Sequence, residues 1–389
     1  MALEIDGLLR FATEADASDV FLKEGTPPTL RLNGSVRKLD HPPLTAEEIE
    51  NIAKMMMPDK DWLAFQDHPD HDLSYMIPDV ARFRVNVYKQ RGHIAMVLRV
   101  VSLRVRQFSE LGLPPVLAEF TRHHDGLLLV TGPTGSGKST TLAAMLDLIN
   151  QEKRGHIVTI EDPIEYIYQD KNCIVSQREV GIDTVKFSDA LRASLREAPD
   201  VILVGELRDS ETMGICLQAA ETGHLVFSTL HTASAAESME RILAMFQPHE
   251  KALVQQRLAK TLRAILSQKL VPTVDTKGRV CALEILNVSP TVAQYIEEGR
   301  TGQIYQAIKE GGTQWKMQTM NMALDNYYKA GKITEETAME FAGIRSELRQ
   351  MLRRTAEPDG AAAAGANAAA NGAASTAPAT AESTAPAAV

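Results

Sequence analysis

At 389 residues the chain is longer than one hydrophobic core usually serves, so two domains plus linkers is the expected organisation. Hydrophobic residues at 44% against 23% charged describe a globular protein, a net charge of −9 argues against nucleic acid as the main partner, and no apolar stretch reaches the roughly 20 residues of a membrane span. Three scattered cysteines, Cys173, Cys216 and Cys281, form no C-x-x-C pair, so neither a zinc site nor a disulfide framework is suggested and the reducing cytoplasm is the expected compartment.

The chain opens on MALEIDGLLRFATEADASD, whose acids among apolar residues are unlike a signal peptide. Amphipathic spacing predicts helices near 3–15 and 45–57. Between them, Thr29 to Leu39 reads as two short runs around Asn33-Gly34, a strong hairpin signal. Ala81 to Tyr88 alternates strictly, which places Phe83, Val85 and Val87 on one strand face and Arg82, Arg84 and Asn86 on the other. A turn at Gln90-Arg91-Gly92 leads to a returning strand over His93 to Val101. These elements predict a small α+β domain over 1–104, followed by a connector at 105–120 that contains Ser109 to Pro115.

From residue 121 the punctuation changes. The apolar runs GLLLVTG, HIVTIED, DVILVGE and GHLVFSTLH all end in polar residues, and helical patterns lie between them at Thr140 to Asn150, Phe187 to Glu197 and Ser210 to Thr222. Strands alternating with helices predict an α/β domain over 121–355 with a parallel sheet under right-handed crossovers, its ligands at the carboxyl ends of the strands. All four polar endings then face one place. Beyond Ala356 the composition collapses to Ala, Gly, Pro, Ser and Thr, so 356–389 is expected to be a disordered tail.

The first of those endings is GPTGSGKSTT, a G-x-x-x-x-G-K-[ST] loop in the strand–turn–helix setting that a phosphate cradle requires. Backbone N–H groups of Gly132, Pro133, Thr134, Gly135, Ser136, Gly137, Lys138, Ser139 and Thr140 (proline excepted) would converge on phosphate oxygens, helped by the positive end of the new helix. Lys138 would hold the terminal phosphates of ATP, and the Ser139 hydroxyl would hold Mg²⁺. Glu206, after Val201 to Val204, stands where such ATPases keep an acid that assists Mg²⁺, directly or through water, and positions the attacking water. Glu161, Asp162 and Glu165 supply further carboxylates, one of which can serve as general base; the residues alone leave open which. His224 and His231 bracket the fourth run, where an imidazole can sense the γ-phosphate, although a lone histidine is more often structural. Arg82 and Arg84 leave one strand face and can neutralise developing phosphate charge if the first domain closes over the nucleotide; the plain alternative is a solvated edge.

Taken together, GPTGSGKST, TIEDPIEY, VILVGELRD and TGHLVFSTLHT resemble the Walker A, Asp box, Walker B and His box of the type II/IV secretion ATPase superfamily. ASDVFL, RLNGSVR, RFRVNVY, QREVG at 177–181 and MQTM at 317–320 narrow the resemblance to the type IV pilus retraction ATPases, the PilT/PilU family, over roughly residues 1–354. That likeness implies a cytoplasmic homohexamer at the inner-membrane face of the pilus machine, with a PAS-like N-terminal domain and a RecA-like ATPase domain. ATP hydrolysis would drive pilus disassembly, with an inner-membrane platform protein and a paralogous retraction ATPase as expected partners. By position it implies Glu165 as the catalytic Asp-box glutamate, Glu206 as the Walker B glutamate, His224 and His231 as the His-box pair, and Arg82, Arg84 and Arg99 as arginines near the phosphates. One departure stands out. Where the PilT branch carries an AIRNLIRE-type motif, this chain reads Val292-Ala-Gln-Tyr-Ile-Glu-Glu298, without either arginine, as in PilU-like relatives. An auxiliary or regulatory subunit is therefore the alternative to a principal motor. An assembly ATPase fits less well, since it would add a further N-terminal domain and a four-cysteine zinc insert. A GTPase fits least, since Asn-Lys-x-Asp does not occur.

Overall fold

The computed structural model describes residues 3–356 apart from Asn33, Asp79, Ser102, Leu103 and Lys277. The expected tail past Ala356 and the asparagine of the predicted Asn-Gly turn thus lie outside the described residues. Strands β1 (Asp19–Lys23), β2 (Thr29–Leu32), β3 (Ser35–Lys38), β4 (Asp70–Ile77), β5 (Ala81–Gln90) and β6 (His93–Val101) form one sheet in the order β3-β2-β1-β6-β5-β4. Every neighbouring pair is antiparallel. On β5, Phe83, Val85 and Val87 are fully buried while Arg82, Arg84 and Asn86 occupy the other face, as the alternation predicts. Helices Ile5–Glu14 and Ala46–Met56 belong to the same core through Leu8, Leu9, Ala12, Ile49, Ile52 and Ala53. Each fully buried aliphatic or aromatic side chain of this kind stabilises the fold by about 1.5–3 kcal/mol. A capping box, Thr45 with Glu48, starts the second helix where its pattern begins.

The second sheet contains β7 (Gly126–Thr131), β8 (His156–Glu161), β9 (Ile174–Glu179), β10 (Val201–Val204), β11 (Leu225–Leu230), β12 (Leu262–Pro272) and β13 (Arg279–Asn287). Their order is β13-β12-β7-β11-β10-β8-β9, and pairing is parallel from β12 through β9. Every residue of β7, β10 and β11 is buried, which is why they read as continuous apolar runs rather than alternations. Because the strands are parallel, β7, β8, β10 and β11 end on the same side. The helix predicted over Phe187 to Glu197 stops at Ser194; the chain then turns, and Ala198 takes a left-handed conformation (φ 51°) before Pro199.

Apart from the last two residues of β12, both sheets fall in one compact unit, residues up to Leu270 together with Arg279–Thr319; Val271–Gly278 and the described residues from Met320 form another. In the latter, helices Met320–Lys329, Glu335–Phe341 and Arg345–Ala356 are tied through Asn321. Its amide donates to Ile344 O (3.0 Å) and its carbonyl accepts from Gly343 N (3.0 Å). Cys173, Cys216 and Cys281 are all buried. Among the described residues no helix is long and apolar enough to cross a membrane.

Candidate active site

β7 runs out at Thr131, and the loop that follows returns as helix Lys138–Glu152. Three loop glycines hold left-handed or related backbone: Gly132 at φ 146°, Gly135 at φ 79° and Gly137 at φ 87°. A Cβ at Gly132 would stand 2.5 Å from both Gln268 O and Ser136 Oγ, so no larger residue fits. Gln268, on β12, clamps the loop from behind. Its Nε2 donates to Ser136 O (2.6 Å) and its Oε1 accepts from Thr141 Oγ1 (2.8 Å), while Thr131 Oγ1 donates to Ser267 Oγ (2.9 Å). Sequence reasoning missed Gln268; the available signal was a Ser-Gln pair inside the apolar β12 run.

Lys138 is only 9% exposed, and its Nζ donates to the carbonyls of Gly132 (2.9 Å) and Pro133 (3.1 Å). Burial holds its pKa below the usual lysine value, and the nearby Glu165 and Glu206 oppose that shift. Beside it the Ser136 hydroxyl is buried with no hydrogen-bond partner. A buried ammonium and an unsatisfied hydroxyl on a glycine loop fit a phosphate group, which accepts from both.

The loop forms one wall of a cavity of about 520 Å³. Thr134, Gly135, Gly137, Lys138, Ser139 and Thr140 line it from the loop and helix, Glu161, Asp162 and Glu165 from the end of β8, Gly205 and Glu206 from the end of β10, and Thr229 and His231 from the end of β11. All four strand endings picked out in the sequence therefore meet at one place. His231 Nε2 lies 3.4 Å from Glu206 Oε2, and the other Glu206 oxygen pairs with Arg208, itself 3.7 Å from Asp162. Glu161 is 8% exposed, and burial pushes its carboxyl up to about 7 against the hydrogen bonds it accepts from Thr159 Oγ1 (2.7 Å), Glu165 N (3.4 Å) and Gln177 Nε2 (3.4 Å). Tyr166 Oη meets Thr140 Oγ1 at 2.9 Å, which joins the segment after β8 to the helix of the phosphate loop. Among the described residues no cluster of three or more His, Cys, Asp or Glu forms a metal cage. Ser139 and Glu206 both line the cavity, and a hydroxyl with a single carboxylate is a donor set compatible with a hard cation that keeps most of its other ligands.

The structure separates two groups of the expected residues. His224 precedes β11 and His231 follows it, so the strand, at about 3.3 Å per residue, holds them roughly 20 Å apart. His224 does not border the cavity; its Nδ1 meets Ala219 O (2.9 Å) and Thr222 Oγ1 (3.2 Å) at the end of the preceding helix. The arginines also divide. Arg99 borders the cavity and donates to Asp19 Oδ1 (3.1 Å), whereas Arg82 is paired with Glu179 (2.8 Å) and Arg84 faces Asp72 at 3.8 Å. Arg279, at the start of β13, borders the cavity and was not anticipated.

Comparison with known proteins gives consistent results. The family model described as Type II/IV secretion system protein matches residues 3–359. The type IV pilus retraction ATPase PilT of Pseudomonas aeruginosa is 45% identical over 342 residues, covering 88% of this chain and 99% of that protein. The type IV pilus ATPase PilU of the same organism is 39% identical over 357 residues, covering 92% and 93% respectively. A crystal structure of the pilus retraction motor PilT with bound ADP matches with a TM-score of 0.83 at 44% identity, covering 90% of this chain and 99% of that one.

Proposed function

Because this chain belongs to the Type II/IV secretion system protein family, in its PilT/PilU branch, we propose that it is a hexameric motor ATPase coupling ATP hydrolysis to type IV pilus retraction. The observation that carries this reading is the meeting of Lys138, Glu165, Glu206 and His231 from four parallel strand ends around one glycine-loop cavity. Phosphoryl transfer requires positioning and charge neutralisation more than covalent chemistry, and these residues divide that work.

Lys138 exchanges its two carbonyl acceptors for oxygens of the β- and γ-phosphates, and the Ser136 hydroxyl donates to a phosphate oxygen. Ser139 and Glu206, the latter directly or through water, would hold Mg²⁺, which would supply charge neutralisation for the phosphates when bound. Glu206 orients the attacking water, with His231 at its second oxygen reporting on that carboxylate. Glu165 takes the proton: both carboxylates border the cavity, but Glu161 is buried with its oxygens already accepting from Thr159, Gln177 and the Glu165 amide, a supporting arrangement. Arg99 neutralises charge on the transferred group, while Arg82 and Arg84 keep their partners Glu179 and Asp72 and act outside the nucleotide site. In this reading residues 1–104 and 121–355 are the two working bodies, 105–120 joins them, and 356–389 is dispensable for turnover. The motor acts at the cytoplasmic face of the inner membrane on a platform protein, beside a paralogous ATPase.

The 292–298 segment favours a second reading, an auxiliary subunit. It lies in helix Pro290–Glu297, where Val292 and Ile296 are buried and Arg300 covers the Tyr295 ring, with Glu298 pairing to Arg300. Steady-state ATP hydrolysis by the purified protein, wild type beside Glu206→Gln, with mass in solution recorded at the same concentration, separates the readings. Turnover by a sixfold assembly, lost in the variant while ATP still binds, is the expected result. An assembled ring that binds ATP without turnover would replace the motor with the auxiliary subunit.

A further inference from the structure

The QREVG motif at 177–181 is left unused by the chemistry above, yet the structure places it against the segment that carries Glu165. β9 is the edge strand beside β8, with Thr159 opposite Gln177 and Glu161 opposite Glu179. Residues two apart on a strand share a face, so Gln177 and Glu179 point together while Arg178 points away, where it pairs with Glu197 (3.1 Å). On leaving β8 the chain enters residues 164–168, which form no helix or strand. Backbone groups in such a segment need partners from elsewhere.

Side chains provide them on both sides of Glu165. Gln177 Oε1 accepts from Tyr168 N (2.8 Å) and its Nε2 donates to Tyr166 O (2.8 Å). Glu179 Oε2 accepts from Ile164 N (3.2 Å). That same oxygen accepts from Arg82 Nη2 at 2.8 Å, and both side chains of this ion pair are close to nine-tenths buried, at 12% and 10% exposure. Arg82 stands on β5 of the antiparallel sheet, opposite Met76, so one carboxylate oxygen serves the small sheet and the Glu165 segment at once.

We propose that Gln177 and Glu179 are positioning residues that hold the Glu165 segment in register with the phosphate loop, and that Arg82 links this positioning to the antiparallel sheet. The proposal rests on the ATPase reading for its effect on turnover, but its geometric content is independent of it. Loss of either clamp lets Glu165 drift from the cavity while the glycine loop keeps its own support from Gln268. The phosphate grip and the placement of Glu165 are thus separable.

The test uses the full chain in four variants. Gln177→Leu and Glu179→Ala should lower kcat roughly tenfold to a hundredfold, the loss expected of a misplacement near 1 Å, with KM for ATP within about twofold of wild type. Glu179→Gln, which keeps an acceptor for Ile164 N, should recover most of kcat. Arg82→Gln should lower kcat by a smaller factor and add nothing in the Glu179→Ala background, as expected for residues acting through one contact. Amide hydrogen exchange at Ile164 and Tyr168 should speed up in Glu179→Ala and Gln177→Leu respectively, with β8 amides unchanged. That reading is available even if wild type shows no turnover, an outcome that would sink the motor assignment alone. Unchanged exchange at both amides, or kcat and KM shifting together without recovery in Glu179→Gln, would overturn the proposal.

Discussion

The two sheets carry charge in opposite ways. At the centre of the parallel sheet β7, β10 and β11 are buried throughout, and charged side chains gather at and beyond the carboxyl ends of these strands and β8, where topology brings Lys138, Glu161, Glu206 and His231 together. In the antiparallel sheet charge runs along a strand face, and its arginines are distributed among different partners: Arg82 to Glu179, Arg84 towards Asp72, Arg99 to Asp19 and the cavity. The contrast teaches that a strand end concentrates function, whereas a strand face spreads it, so that residues equivalent in the sequence pattern end up with unequal roles.

The sharpest way to break this comparison is at the concentrated end. Lys138→Ala should abolish measurable ATP hydrolysis and weaken nucleotide binding by at least about 100-fold, checked by turnover and fluorescent-nucleotide titration. Residual turnover above about a tenth of wild type would mean that the phosphate site lies elsewhere. Next in size is the distributed face. Arg99→Ala should cost about tenfold in kcat/KM for ATP and Arg84→Ala less than about twofold, since only Arg99 borders the cavity. Equal losses would show that the whole face reaches the nucleotide during the cycle.

A smaller effect concerns Glu161. Folded, its carboxyl keeps its proton up to about pH 7, whereas the unfolded chain releases it near the ordinary carboxylate value. Between those values the folded state binds more protons, so this group's contribution to stability declines as pH rises through that window and levels off above it. Glu161→Gln removes that decline, and its Tm relative to wild type should rise from pH 5 to pH 8; a difference independent of pH would show that the carboxyl titrates normally. Smallest of all, His224→Ala should change turnover by less than about twofold while His231→Ala lowers it severalfold, because only His231 reaches Glu206.

Much of this layout was legible in the residues because local chemistry dictates it. Gly132, Gly135 and Gly137 adopt backbone that other residues resist, and the four apolar runs became the four strands whose ends meet. What stayed hidden depended on neighbours. β4 and β9 are edge strands with half-polar sequences, so neither presents a continuous apolar run nor, for β9, a clean alternation. β12 starts directly where a helix ends at Thr261, without a turn signal, and with it went Gln268. Periodicity assigned Arg82 to the correct face but carries no information about Glu179, 97 residues away. The two histidines bracket the fourth strand, but their residue type carries no signal for which of them faces the cavity, and only His231 lines it.

The buried cysteines make the chain convenient to instrument. Cys173 and Cys216 are at most 3% exposed and Cys281 is 7% exposed, and burial pushes all three thiols above their ordinary pKa, Cys281 to about 12. A thiolate is the reactive form, so the folded chain presents little for alkylating reagents or maleimide dyes to attack. A cysteine introduced on a solvent-facing helix would therefore take up a dye selectively in an otherwise native background, with no need to strip the three natural thiols and risk their packing. The same silence makes slow labelling of the wild-type chain a clock for opening of its interior, because each modification event requires a buried sulfur to come into reach of solvent.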